Sequence, residues 1–242
     1  MKVAAVIQAR TSSTRLPNKI LRPLAGRAVL GWVVRAAQSA TQVDEVVVAT
    51  STDPSDDPVE EWAEPLGVSV VRGSLDDVLG RFVGVLDSHV PDAVVRLTAD
   101  CPMLDPQVID MAVATWRANP RLDYVSSILH RTLPRGLDVE VVAAPALRRV
   151  DRLATDFHRS HVTSYIYTHP TEFDILGLAF TPPADHFRVT LDTEDDARML
   201  DALAAGLGDR PPTWREVTAW LEAHPDVAAL NAEVTQKALD EG

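Results

Sequence analysis

Arg10, Arg15 and Lys19 stand close together in QARTSSTRLPNKIL (8–21), separated by the small residues Thr11, Ser12, Ser13 and Thr14. Small side chains let backbone N–H groups approach the oxygens of an anion. Two guanidinium groups add planar forks and an ammonium adds a point charge, which together suit phosphate. Pro17 restricts the loop, so less order has to be gained on binding. Neither GxxxxGK[ST] nor GxGxxG occurs, which excludes a Walker loop and a dinucleotide fingerprint. An exposed basic turn is the plain alternative, and the loop's place at the ligand end of a first buried strand makes it the weaker one.

Carboxylates occupy the complementary positions. Asp100 ends VVRLTAD and Asp192 ends FRVTLD, so each stands where a strand gives way to a loop. Such a pair, meeting at a phosphate chain, suits Mg²⁺, which takes one or two protein carboxylates with waters and substrate oxygens. Either aspartate alone reads equally well as a helix cap. In PRGLDVE (134–140), Asp138 and Glu140 share one face of a strand, and Arg135 and Asp138 border an acceptor. His158, Arg159 and His161 fall in DFHRSHVTSYIY (156–167); without a third ligand the histidines point to hydrogen bonding or acceptor contact rather than metal. Cys101 has no catalytic partner, and no Ser/His/Asp arrangement emerges.

These residues need a scaffold, and the pattern of apolar runs supplies one. Segments 2–8, 45–51, 68–72 and 92–100 read as buried strands. Helical patterns over 28–40, 55–66 (capped by Ser55 and closed by Gly67), 76–90 and 106–118 separate them. Continuous apolar strands between helices mean a parallel sheet covered on both faces. In such a sheet ligands bind beyond the carboxyl ends of the strands. That rule selects the loops 8–19, 51–58, 72–77 and 98–105, and with them Ser51, Arg72 and Asp76. Past residue 123 the order changes. Strands over 123–129, 137–142, 173–180 and 187–192 surround a helix over 146–168 and predict a small mixed β/α insertion. Helices over 194–207 and 214–223 follow, and the last dozen residues are expected to fray.

Composition sets outer bounds. At 242 residues, 46% hydrophobic and 24% charged, the chain fits a single domain with one core. No apolar run approaches the roughly 20 residues of a membrane span, the first strand begins at once, and a single cysteine forbids an internal disulfide. The expectation is a cytoplasmic protein without a membrane partner. The first 43 residues carry seven basic side chains and no acidic one, while the other 199 carry 16 basic and 35 acidic. A broad basic face for nucleic acid is therefore not expected; a small basic island suits a compact anionic ligand.

With these residues placed, the chain resembles cytidylyltransferases of the spore-coat-polysaccharide SpsF type, related to the synthetases of CMP-activated Kdo and neuraminate. QARTSSTRLPNKIL, VVVATSTDPSDDP, VRGSLDDVLGRF, VVRLTADCPMLDP, YVSSILHRTLPRGLDVEVV, HRSHVTSYIY and VTLDTEDD carry the likeness in order, from about Lys2 to Leu200. The resemblance implies an α/β GT-A-like (Rossmann-like) nucleotidyltransferase fold, a homodimer, and Mg²⁺-dependent transfer of CMP from CTP to a small acceptor with release of pyrophosphate. Arg10, Ser13 and Lys19, with Ser12 and Arg15 beside them, would then meet the triphosphate. Asp100 and Asp192 would hold metal, and Ser51 and Asp76 would lie near base and ribose. The 123–185 region would face the acceptor and a partner subunit. Ser12 and Asn18 stand where glycines are frequent in this group, and Ser160 where a glutamate is usual. An acceptor oxygen would attack the α-phosphorus, helped mainly by positioning and charge neutralisation. A GT-A glycosyltransferase would carry Asp-x-Asp where this chain has TADCP, and a non-catalytic nucleotide binder would not need both aspartates.

Overall fold

The structure, a computed structural model, describes residues 1–235. In chain order the strands are β1 (Val3–Gln8), β2 (Pro23–Leu24), β3 (Arg27–Ala28), β4 (Glu45–Ser51), β5 (Ser69–Gly73), β6 (Ala93–Thr98), β7 (Tyr124–Ser126), β8 (Glu140–Ala143) and β9 (Ile175–Gly177). The helices are α1 (Val29–Ser39), α2 (Asp57–Ala63), α3 (Val78–His89), α4 (Pro106–Ala118), α5 (Ala144–Leu153), α6 (Phe157–Ser160), α7 (Ser164–Thr168), α8 (Glu194–Leu207), α9 (Trp214–Ala223) and α10 (Pro225–Ala228).

Seven strands form one sheet in the order β5-β4-β1-β6-β8-β7-β9. β5, β4, β1 and β6 pair in parallel, and β8 alone runs against its neighbours β6 and β7. Residues 3 to 7 of β1 are fully buried, as a central strand covered on both faces requires. α1 packs with α4 and α3 with α5, so the helices form two layers around the sheet. The chain is thus an α/β fold with a mainly parallel sheet covered by helices.

The β2–β3 hairpin turns through Ala25 (φ 46°) and Gly26 (φ 82°), both left-handed as a tight two-residue turn demands. Asn18 (φ 57°) is left-handed too, so an asparagine fills a position where glycine would otherwise be natural.

Local details depart from the sequence expectations. Asp53, not Ser55, caps the turn before α2: its side chain accepts from Ser55 N. The helix expected over 146–168 is three helices: Ala154 is extended and Asp156 adopts φ 51° between α5 and α6, and the non-helical His161 (φ −109°, ψ 52°) ends α6. The strands expected over 123–129 and 173–180 shorten to Tyr124–Ser126 and Ile175–Gly177. Segment 187–192 joins no sheet; it is an extended strap, with Val189 N donating to Arg135 O (2.7 Å) and Leu191 N to Asp100 O (2.8 Å). Fraying was expected from 231 on, yet Asn231 is buried and its Nδ2 donates to Arg188 O and Asp196 Oδ1. The remainder of that expectation, 236–242, lies outside the described residues.

Candidate active site

A cleft of about 530 Å³ opens along the carboxyl ends of β1 and β6 and reaches the loop after β5. At its β1 side, residues 8–19 fold over as a strapped loop. Thr11 N and Oγ1 donate to Asp56 Oδ1 at 2.7 and 2.8 Å, and Asn18 N donates to Thr11 O at 2.9 Å. Burial alone would raise the Asp56 carboxyl, but hydrogen bonds from Ser51 and Thr11 outweigh it and hold the group below the ordinary range. Asp56 fastens the loop; as one of several aspartates in STDPSDDP it carries no local signal of that role.

Lys19 lies at the centre. Its Nζ donates to Asp100 Oδ2 (2.5 Å), Asp192 Oδ1 (2.7 Å) and Leu191 O (2.8 Å). Burial pushes this ammonium down, yet the two carboxylates outweigh it and raise its pKa. Asp192 is half-buried, which works against its charge, and Lys19, Arg15 and Arg188 overcome this and lower its pKa. Arg15 pairs with Asp192 at 3.0 Å. Behind it, Arg188 links Asp192 to the buried Asp196, which Asn231 also touches. The Leu191–Asp100 backbone bond brings the two aspartates, 92 positions apart, to one point.

Two carboxylate oxygens from separate segments therefore converge on one cation, an ammonium. Such a hard oxygen pair fits a divalent ion that takes its other ligands from water and phosphate. Among the described residues no group of three or more His, Cys, Asp and Glu side chains is arranged to hold a metal by itself.

The structure brings eleven of the expected site residues to this cleft: Arg10, Ser12, Ser13, Arg15, Lys19, Asp76, Asp100, Arg135, Asp138, His161 and Asp192. Arg10 makes no hydrogen bond or ion pair among the described residues and is exposed in the cleft. Asp138 is held by a two-pronged pair with Arg131 (2.6 and 3.0 Å). Arg135 beside it is depressed by burial and by Arg131. Gly136 sits between them at φ 103°, where a Cβ would meet Thr190 N at 2.7 Å. Ser160, in place of the usual glutamate, also lines the cleft.

Five expected site residues lie elsewhere. Ser51 is fully buried and donates to Asp56. Arg72 holds Ser51 O, Asp57 and Glu60, bracing α2 against β5. Glu140 is buried and engaged by Arg96, Tyr124 Oη and Thr163 Oγ1, so it anchors β8 rather than meeting an acceptor. His158 Nδ1 pairs with Ser164 Oγ at 2.7 Å, and Arg159 ties Asp77 at the start of α3 to Asp151 of α5. In each case another side chain has taken the group, locally for Ser51 and His158 and across the fold for Arg72, Glu140 and Arg159. Conversely, Arg81, Arg96 and Thr190 line the cleft without having been singled out.

A parallel sheet with a basic loop after its first strand and two aspartates meeting beyond later elements is an arrangement suited to nucleotidyl transfer. Residues 4–202 match the family model described as cytidylyltransferase. The chain belongs to the cytidylyltransferase family, whose members are CTP-dependent nucleotidyltransferases. It is 36% identical to the spore coat polysaccharide biosynthesis protein SpsF of Bacillus subtilis, over 92% of this chain and 95% of that one. A 3-deoxy-manno-octulosonate cytidylyltransferase of Acidobacterium capsulatum is 38% identical over 108 residues, 44% of this chain and 42% of that one. Among solved structures, a cytidylyltransferase from Leptospira borgpetersenii superposes with a TM-score of 0.91 at 28% identity, covering 98% of this chain and all of that one.

Proposed function

We propose that this chain transfers CMP from CTP to a small anionic acceptor of the sugar-acid class, releasing pyrophosphate. The observation that carries this reading is the meeting of Lys19, Asp100 and Asp192 beneath the loop bearing Arg10, Ser12, Ser13 and Arg15. The triphosphate lies along that loop, with Arg10 free to fork onto its oxygens and Lys19 balancing charge that develops on pyrophosphate. Asp100 and Asp192 would hold a divalent cation, Mg²⁺ in this proposal, which when bound would supply charge neutralisation for the triphosphate. Lys19 then exchanges carboxylate partners for phosphate oxygens.

The acceptor enters at the far side, where Arg135, His161 and the Arg131-held Asp138 meet the cleft. Arg135 suits a carboxylate. An acceptor that is already an anion needs no general base, and positioning does most of the work. The 123–185 region is proposed as the face of a homodimer, and the reaction as cytoplasmic, where CTP is supplied. Among the described residues no helix is long and apolar enough to cross a membrane.

Pyrophosphate release from CTP and Mg²⁺, measured with a panel of 2-keto sugar acids, tests this. Turnover with one acid and none with neutral sugars is expected. Saturable CTP binding with no turnover for any acceptor would favour a regulatory nucleotide-binding module instead.

A further inference from the structure

The strap 187–192 carries Asp192 into the cleft but belongs to no sheet, so something other than a strand ladder must fix it. Its backbone bonds to Arg135 and Asp100 hold one edge. A buried polar cluster holds the other. Asp196, fully buried in the first turn of α8, accepts from Asp192 N and Thr193 N, each at 2.9 Å, and from Arg188 Nε at 2.9 Å. Arg188 in turn reaches Asp192 Oδ2 at 2.5 Å, while Asp192 Oδ1 faces Lys19.

Asn231 completes this cluster from a distant part of the chain. It lies in a single turn after α10 (229–231), well beyond the residues 4–202 that match the family model. Its side chain is 3% exposed, and Nδ2 donates to Arg188 O at 3.1 Å and to Asp196 Oδ1 at 2.8 Å. One amide thus uses both its hydrogens to bridge the start of the strap to the carboxylate that holds its end. The cap of α8 does not need it, because Thr193 and Asp196 already satisfy each other in a capping box. An apolar side chain would fill the space without the cost of burying an amide. What the amide adds is a fixed spacing between Arg188 and Asp196, the two groups that together orient Asp192.

We propose that Asn231 is a positioning residue for the cation site: by bridging Arg188 and Asp196 it fixes where the Asp192 carboxylate stands against Asp100. This rests on the CTP and Mg²⁺ assignment above. Outer partners that orient a ligating carboxylate govern how well it holds metal, although they never touch the ion.

Calorimetry of CTP binding to the full chain, over a series of Mg²⁺ concentrations, reads the Mg²⁺ requirement apart from turnover. In Asn231→Leu, or in Asn231→Ala should the leucine variant not fold, the half-saturating Mg²⁺ concentration is expected to rise roughly 10-fold, the scale for losing such a partner. CTP affinity without metal should stay as in the wild type. Asn231→Gln, which keeps both donor hydrogens, should recover part of the loss. Val150→Ala isolates the effect of lost stability: it empties core space in α5, whose residues do not line the cleft, and should keep the wild-type Mg²⁺ requirement. An unchanged requirement in the Asn231 variants overturns the positioning role, and so does an equal rise in Val150→Ala. A wild-type protein that binds no CTP, or binds it regardless of Mg²⁺, overturns the functional proposal and this role with it, so the two failures are told apart.

Discussion

Lys19 Nζ lies 2.7 Å from Asp192 Oδ1, joining the basic loop after β1 to the strap that closes the other side of the cleft. With Asp100 at 2.5 Å, the ammonium occupies the place between two carboxylates that a divalent cation would share. With Arg15 also on Asp192, the carboxylate charges are balanced and the site is assembled before any ligand arrives.

Lys19→Met removes that internal cation. The variant is expected to lose about 100-fold in kcat/KM for CTP, the scale of one positioned charge at a developing anion. Its thermal midpoint should fall without metal, because Asp100 and Asp192 repel, and Mg²⁺ should raise it more than it raises the wild type. Scanning calorimetry with and without Mg²⁺ checks this; an equal metal response in both proteins would argue against a shared position.

The pH dependence of stability follows from the same cluster. Asp192 has a lowered pKa, so its pairing stabilises the fold above the ordinary carboxylate range and is lost as pH falls through the depressed value. Lys19 has a raised pKa, so its share is complete below the ordinary lysine value and is lost as pH rises through the elevated one. Asp192→Asn should therefore cost about 3 kcal/mol at neutral pH, the scale of breaking a buried pair, and this difference should shrink as pH falls below the ordinary carboxylate range and vanish only below the depressed value. Urea unfolding of both proteins across pH measures it.

Glu140→Gln bears on β8. With Arg96, Tyr124 and Thr163 all on one buried carboxylate, the change is expected to cost about 3 kcal/mol. Denaturant titration reads this directly. Unchanged stability with a raised acceptor KM would instead return Glu140 to the acceptor.

Gly136→Ala combines an unfavourable backbone with a collision. The φ of 103° suits glycine, and the new methyl would press on Thr190 N and Val189 of the strap. A loss of about 1–3 kcal/mol is expected from the backbone alone. Displacement of the strap also shifts Asp192, so CTP affinity should fall with stability. Full CTP affinity in the variant would show that the strap's position is unimportant.

Much of this was legible in the chain because burial writes itself into local pattern. β1, β4 and β6 are covered on both faces, so their apolar runs are continuous and their order with the helices follows. The topological rule then located the cleft, and Lys19, Asp100 and Asp192 fell into it. What could not be read depends on partners distant in sequence. The break at Asp156 leaves apolar spacing intact on either side, so periodicity carries through it. Glu140 looks like an acceptor contact until Arg96 and Tyr124 are folded against it. Asp56 and Arg81 matter through a loop 45 residues away and a carbonyl 72 residues away, which no spacing rule anticipates.

The most direct measurement is thermal stabilisation by CTP, UTP, GTP, ATP and dTTP, each with and without Mg²⁺. A ligand at a hundred times its Kd stabilises by about 2.7 kcal/mol, a readily measured shift. CTP with Mg²⁺ is expected to give the largest shift, and Asp100→Ala to abolish only its Mg²⁺-dependent part. No shift with any nucleotide, or the same shift with all five, would contradict a CTP site in this cleft.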